Sequence, residues 1–152
     1  MNCERLEDGS QHCWAIKQFK RWYVKEHGTV TGIANMKKEI FARGPISCAM
    51  FATDKFEKEY TGGIYKEAGL HLFPNHYVSV NGWGKDSKSG EQYWIVRNSW
   101  GSHFGESGFF RIKMGSDNLG IDKFECFWGV PSETKAVGAD ELFEEAIKTM
   151  TE

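Results

Sequence analysis

Residues 75–84 read N-H-Y-V-S-V-N-G-W-G and residues 91–105 read E-Q-Y-W-I-V-R-N-S-W-G-S-H-F-G. His76, Val78 and Val80 alternate onto one face, the period-two pattern of a strand with one side buried. Residues 93–98 form a second strand, rich in aromatic and β-branched side chains. Residues 85–90 between them carry Asp, Ser and Gly and read as a turn. Antiparallel pairing brings the start of the first strand to the end of the second, so His76 and Asn98 become neighbours across the ladder. That is the geometry an oriented catalytic imidazole requires.

The chain around this pair is 152 residues long, the size of one domain. Hydrophobic residues make up 40%, enough for a packed core, and 17 glycines against 3 prolines point to a loop- and strand-rich chain rather than a helical bundle. A formal net charge of −2 offers no electrostatic case for nucleic acid or an anionic membrane as partner. No apolar run approaches the roughly 20 residues of a membrane span. The opening M-N-C-E-R-L-E-D-G has neither a basic nor an apolar region, so no signal peptide is expected in this chain.

Residues 1–27 are expected to be polar and irregular, with Trp14, Ile16, Phe19, Trp22 and Val24 covering a sheet edge. Thr29 or Thr31 is expected to cap a helix through Ile33, Met36, Lys37, Ile40 and Phe41 that stops at Gly44. Residues 45–52 read as a buried strand, in which Ser47 and Cys48 are packing residues rather than nucleophiles. Residues 60–66 read as a turn and short strand, and residues 115–123 as a variable polar loop. In the strand 109–114, Phe110 and Ile112 share one face and Arg111 and Lys113 the other. Ala139, Leu142, Phe143, Ala146, Ile147 and Met150 recur at helical spacing behind an acidic first turn, which predicts an amphipathic helix. Four cysteines allow three full pairings. His12, His27 and His71 have no ligand spacing with them, so neither a metal site nor a cofactor is expected.

The quoted N-H, the Y-W-I-V-R-N-S-W-G run and its continuation S-W-G-x-x-F-G-E-x-G-F over residues 99–109 resemble the papain family of cysteine peptidases. G-P-I-S-C (44–48), Y-T-G-G-I-Y (60–65) and C-F-W-G-V-P (126–131) resemble its cathepsin X (cathepsin Z) branch. The resemblance covers about residues 1–131 and corresponds to the C-terminal half of such an enzyme. It implies an α+β fold: a papain-like right-hand domain, an antiparallel β-sheet or half-barrel with one packed helix. Residues 132–152 would be an amphipathic extension carrying the extra C-terminal helix.

The resemblance further implies disulfides Cys48–Cys126 and Cys3–Cys13, and with them a lysosomal or secreted setting; four reduced cytosolic thiols are the alternative. It implies that His76 is the catalytic base, which takes a thiol proton and later returns it to the leaving amine. Asn98 would orient that imidazole, Trp100 would shield their hydrogen bond from water, and Asn75 would line the substrate cleft. His103 stands where the family carries a small or polar residue and reads as surface. The nucleophile signature C-G-[SA]-C-[WY] is absent: the family spacing places that cysteine about 130 to 150 residues before its histidine. The expected function is therefore proteolysis of a peptide or protein substrate by a cysteine peptidase, carboxypeptidase-like if it follows that branch. This chain would supply the His/Asn half of the active site, and its partner would be the missing N-terminal half. By itself it should be inactive, and self-association through the uncovered face is expected. The alternative is a catalytically inactive binding or regulatory module derived from such a peptidase.

Overall fold

The computed structural model describes residues 2–14, 21–67, 69, 72–115 and 117–133. The residues of the expected C-terminal helix, 139–150, lie outside these, as do Ile16, Phe19 and His71.

A seven-stranded sheet holds the architecture. Its strands, β3 (Tyr23–Val30), β4 (Ile46–Met50), β5 (Ile64–Tyr65), β6 (His76–Lys85), β7 (Gln92–Arg97), β8 (Phe109–Lys113) and β9 (Cys126–Ser132), lie in the order β3-β9-β4-β6-β7-β8-β5. β6 pairs antiparallel with both β4 and β7, β7 with β8, and β4 with β9; the short β5 joins in parallel, on β8. The alternation expected of these strands is what buries them. Ile46, Cys48 and Met50, then Val78 and Val80, Trp94 and Val96, Phe110 and Ile112 all point into one core, sealed by Met36 and Ile40 of helix α1 (Ile33–Arg43). Cys48 and Cys126 face each other in the ladder and are bonded.

The β6–β7 hairpin turns at residues 86–90, where Asp86 Oδ1 accepts from the Lys88 and Ser89 amides at 3.1 and 2.7 Å. Gly84 lies opposite Tyr93, and a Cβ there would sit 2.5 Å from the Tyr93 ring, so only glycine lets that ring lie flat on the strand.

Several expectations change. Residues 2–14 form a two-stranded ribbon, β1 (Asn2–Arg5) and β2 (Gln11–Trp14), because Cys3 stands opposite Cys13 and the two are bonded. Trp14, Trp22 and Val24 are exposed, and Val24 lies on the edge strand β3. Neither Thr29 nor Thr31 caps α1. Thr29 lies within β3, and Gly32 at φ 80° turns the chain into the helix with no side-chain cap, although Gly44 does end it with its N–H on the Ile40 carbonyl. The packed helix has company: α2 (Asp54–Glu59) is capped by Thr53 Oγ1, which accepts from the Phe56 amide at 3.1 Å. Within residues 115–123, Asn118, Leu119 and Ile121 are buried. The Asn118 side chain replaces missing backbone partners, accepting from Glu67 N at 2.7 Å and donating to the Tyr65 and Lys113 carbonyls.

Two compact units divide the chain: residues 26–130, with nearly all of the core, and residues 1–25 with 131–152, which include the ribbon.

Candidate active site

His76 opens β6 and Asn98 follows the last residue of β7. The ladder sets Ser79 against Arg97, so Asn98 falls opposite Val78, and His76 reaches it along the diagonal on the same face. His76 Nε2 lies 2.8 Å from Asn98 Oδ1. The same oxygen accepts from the Ser99 amide at 2.8 Å, which fixes the orientation of the Asn98 side chain. An oxygen accepts only, so Nε2 carries the proton in neutral His76 and Nδ1 is left with its lone pair. Among the described residues nothing bonds Nδ1.

Asn98 is 8% exposed, and its backbone amide donates to the Gly108 carbonyl at 2.9 Å, tying the end of β7 to the turn before β8. Its side-chain Nδ2 is buried and finds no acceptor among the described residues.

Trp100 stacks on the His76 ring, with centroids 4.7 Å apart and planes at 27°. Behind Trp100 stand Phe104, edge-on at 4.8 Å, and Phe56 of α2 at 5.9 Å. Phe56 is the hub of this group: it also meets Tyr60, Tyr65, Phe104 and Phe110, with centroids 4.9 to 5.7 Å away. The loop after Trp100 is closed by Gly105 at φ 49°, where a Cβ would fall 2.6 Å from the Tyr60 ring. Glu106 in that loop accepts from the Gly63 amide and from the Arg111 guanidinium, and the Arg111 hydrogen bonds hold its carboxyl below the ordinary range. Burial, reinforced by a hydrogen bond to Glu67, pushes the Tyr65 phenol up to about 12, so it stays a donor.

The other expected site residues fall as follows. Asn75 is exposed, but its side chain forms a closed pair with the Ala52 backbone, accepting from N at 2.7 Å and donating to O at 2.9 Å. It thereby fixes the residue before His76 against the end of β4. His103 is exposed, on the rim of a cleft of about 570 Å³ that Trp100, Phe104, Tyr60 and Lys58 also line. A second cleft, about 330 Å³, has Asn98, Ser99, Tyr77 and Ser79 among its walls. His12 and His27 lie exposed on β2 and β3. All four cysteines are bonded, Cys3 to Cys13 and Cys48 to Cys126. The sequence reading missed Phe56, and Thr53 ahead of Asp54 was the one available sign of its helix.

The family described as papain family cysteine protease matches residues 2–127. Cathepsin Z of Onchocerca volvulus is 45% identical over 126 residues, covering 78% of this chain and 40% of that protein. A gut-specific cysteine proteinase of Caenorhabditis elegans is 35% identical over 122 residues, covering 80% of this chain and 35% of its own length. Among solved structures, digestive procathepsin L 3 of the Tenebrio molitor larval midgut superposes with a TM-score of 0.63 at 31% identity, over 70% of this chain and 35% of that one. The bromelain protease of Ananas comosus gives 0.62 at 30%, over 71% and 51%. The chain thus spans about two fifths or less of the curated relatives named here.

Proposed function

This chain belongs to the papain family of cysteine proteases, and we infer that it supplies the histidine and asparagine arm of a peptide-hydrolysing site whose nucleophilic cysteine lies outside these 152 residues. The observation that carries the reading is the His76–Asn98 hydrogen bond under the stacked Trp100 ring. With Nε2–H committed to Asn98, Nδ1 is the atom that accepts a proton from a thiol. The resulting imidazolium and thiolate pair stabilises both charges, and the thiolate attacks the carbonyl carbon of a peptide bond. The imidazolium then returns its proton to the departing amine. Asn98 holds the ring in one tautomer through both transfers, and Trp100 keeps water from competing for Nε2–H.

The nucleophile is assigned elsewhere because these residues hold no C-G-[SA]-C-[WY] signature and because Cys48 and Cys126, in the sheet that carries His76, are buried in a closed bridge that leaves no thiolate. The remaining length of the relatives leaves room for a segment that brings it. The substrate would be a peptide or protein, and the two disulfides favour a lysosomal or secreted setting. Residues 1–131 would form the protease part and residues 132–152 an extension to it. Retention of the full His76, Asn98 and Trp100 arrangement counts against an inactive binding module, for which none of the three is needed.

The test uses the purified chain in a fluorogenic peptide assay with a mild thiol reductant. No turnover is expected without an added nucleophile-bearing segment. Hydrolysis that disappears in His76→Ala would overturn the placement of the nucleophile.

A further inference from the structure

We propose that the Cys3–Cys13 bridge is a thiol-exchange site, opened by a small dithiol under conditions that leave Cys48–Cys126 closed, and that its opening releases the residue 2–14 ribbon. The argument stands apart from the protease reading, since it uses neither His76 nor Asn98.

The two bridges differ in access. Cys48 and Cys126 are each 0% exposed, on the neighbouring strands β4 and β9 of the seven-stranded sheet. Cys3 and Cys13 are both exposed, and so is every described neighbour in the ribbon from Cys3 to Trp14. Exchange requires a thiolate to reach a sulfur along the S–S axis, so exposure decides which bridge reacts. The consequences differ too. Cys48 sits among Ile46, Met50, Val78 and Val80 and would be held by its packing after reduction. β1 and β2 form a sheet of two strands only, and such a hairpin is marginal in water without a further face to bury. The bridge is the cross-link between its strands, at the register pair Cys3↔Cys13.

The reaction balances as two displacements. One thiolate of the dithiol attacks Cys3 or Cys13, the protein S–S bond breaks, and the other cysteine leaves as a thiolate that takes a proton from water. The second thiolate of the reagent then attacks the reagent's sulfur in the mixed disulfide, that S–S bond breaks, and the attacked cysteine leaves as a thiolate that is protonated in turn. The protein pair is reduced by two electrons and the dithiol is oxidised to its cyclic disulfide.

Dithiothreitol titration of the folded chain, with iodoacetamide trapping and peptide mass mapping, tests this. Cys3 and Cys13 should become alkylated at a dose at least about tenfold below that needed for Cys48 and Cys126. At the selective dose, amide hydrogen exchange should rise across residues 2–14 and stay unchanged in β6 and β7. Joint opening of both bridges, or earlier opening of Cys48–Cys126, would overturn the selectivity. Selective alkylation with exchange in residues 2–14 unchanged would overturn the release. Cys3→Ser/Cys13→Ser should match the exchange pattern of the selectively reduced chain, and a variant with the protected pattern of the oxidised one would refute the bridge's role.

Discussion

Replacing Phe56 by leucine tests how the fold holds the site. Phe56 is fully buried and meets five aromatic rings, Tyr60, Tyr65, Trp100, Phe104 and Phe110. A hydrophobic swap of similar size costs up to about 1.5 kcal/mol for shape alone. Edge-on aromatic pairs add about 0.5 to 1.5 kcal/mol each beyond the area they bury, though five pairs to one ring do not add in full. A total of about 2 to 3 kcal/mol is expected, which a domain with about 5 to 15 kcal/mol of net stability survives folded. Urea denaturation followed by tryptophan fluorescence measures it. The same variant reports on the site, because Trp100 loses one of its two backing rings while Phe104 stays. Its stacking on His76 should loosen, and the His76 Cε1–H proton resonance, shielded by the indole, should move toward its exposed position. A stability loss of the expected size with that resonance unmoved would refute the claim that Phe56 sets Trp100. A loss under about 0.5 kcal/mol would refute the packing estimate itself.

Joint substitution Cys48→Ala/Cys126→Ala opens a loop of sequence separation 78 and should cost about 4.5 kcal/mol by loop-closure entropy, read as a lower urea midpoint; a cost below about 1 kcal/mol would contradict the bridge's stabilising role. Asn75→Ala removes both bonds to the Ala52 backbone and should cost about 1 to 3 kcal/mol, with faster exchange of the buried Ala52 amide as its signature. Glu106, whose folded-state pKa lies below its unfolded value, contributes stability that is fully present above the unfolded pKa near 4.5 and is lost as pH falls through the folded value. Acid titration of stability should therefore be shallower in Glu106→Gln than in the parent, and identical curves would exclude the Glu106–Arg111 pair as a cause of acid sensitivity.

The β6–β7 hairpin was legible because both strands are long and alternate cleanly, and the meeting of His76 with Asn98 followed from antiparallel pairing alone. What pairing alone left out was the diagonal offset, which depends on the register, and the register shift between Val80 and Gly82 is marked in the sequence only by a glycine within the strand. Helix α2 escaped notice because six residues with one buried side chain, Phe56, give no helical period. The segment around Asn118 looked polar and is buried, since its amide finds partners at Lys113 and, far away in sequence, at Glu67 and Tyr65. The bonds of the Asn75 side chain to Ala52 were not legible, because Ala52 is brought close only by the β4–β6 pairing.

The central claim is that His76 and Asn98 serve a cysteine nucleophile that another part of the protein brings. The direct test is a chimera in which the matching segment of this chain replaces its counterpart in the Onchocerca volvulus cathepsin Z, checked first for a cooperative thermal transition. Thiol-dependent peptide hydrolysis should appear. It should fall by at least about 10³-fold in His76→Ala, where thiolate formation and leaving-group protonation are both lost, and by less in Asn98→Ala, where only orientation is lost. A folded chimera with no turnover, or one whose turnover survives His76→Ala, would contradict the account.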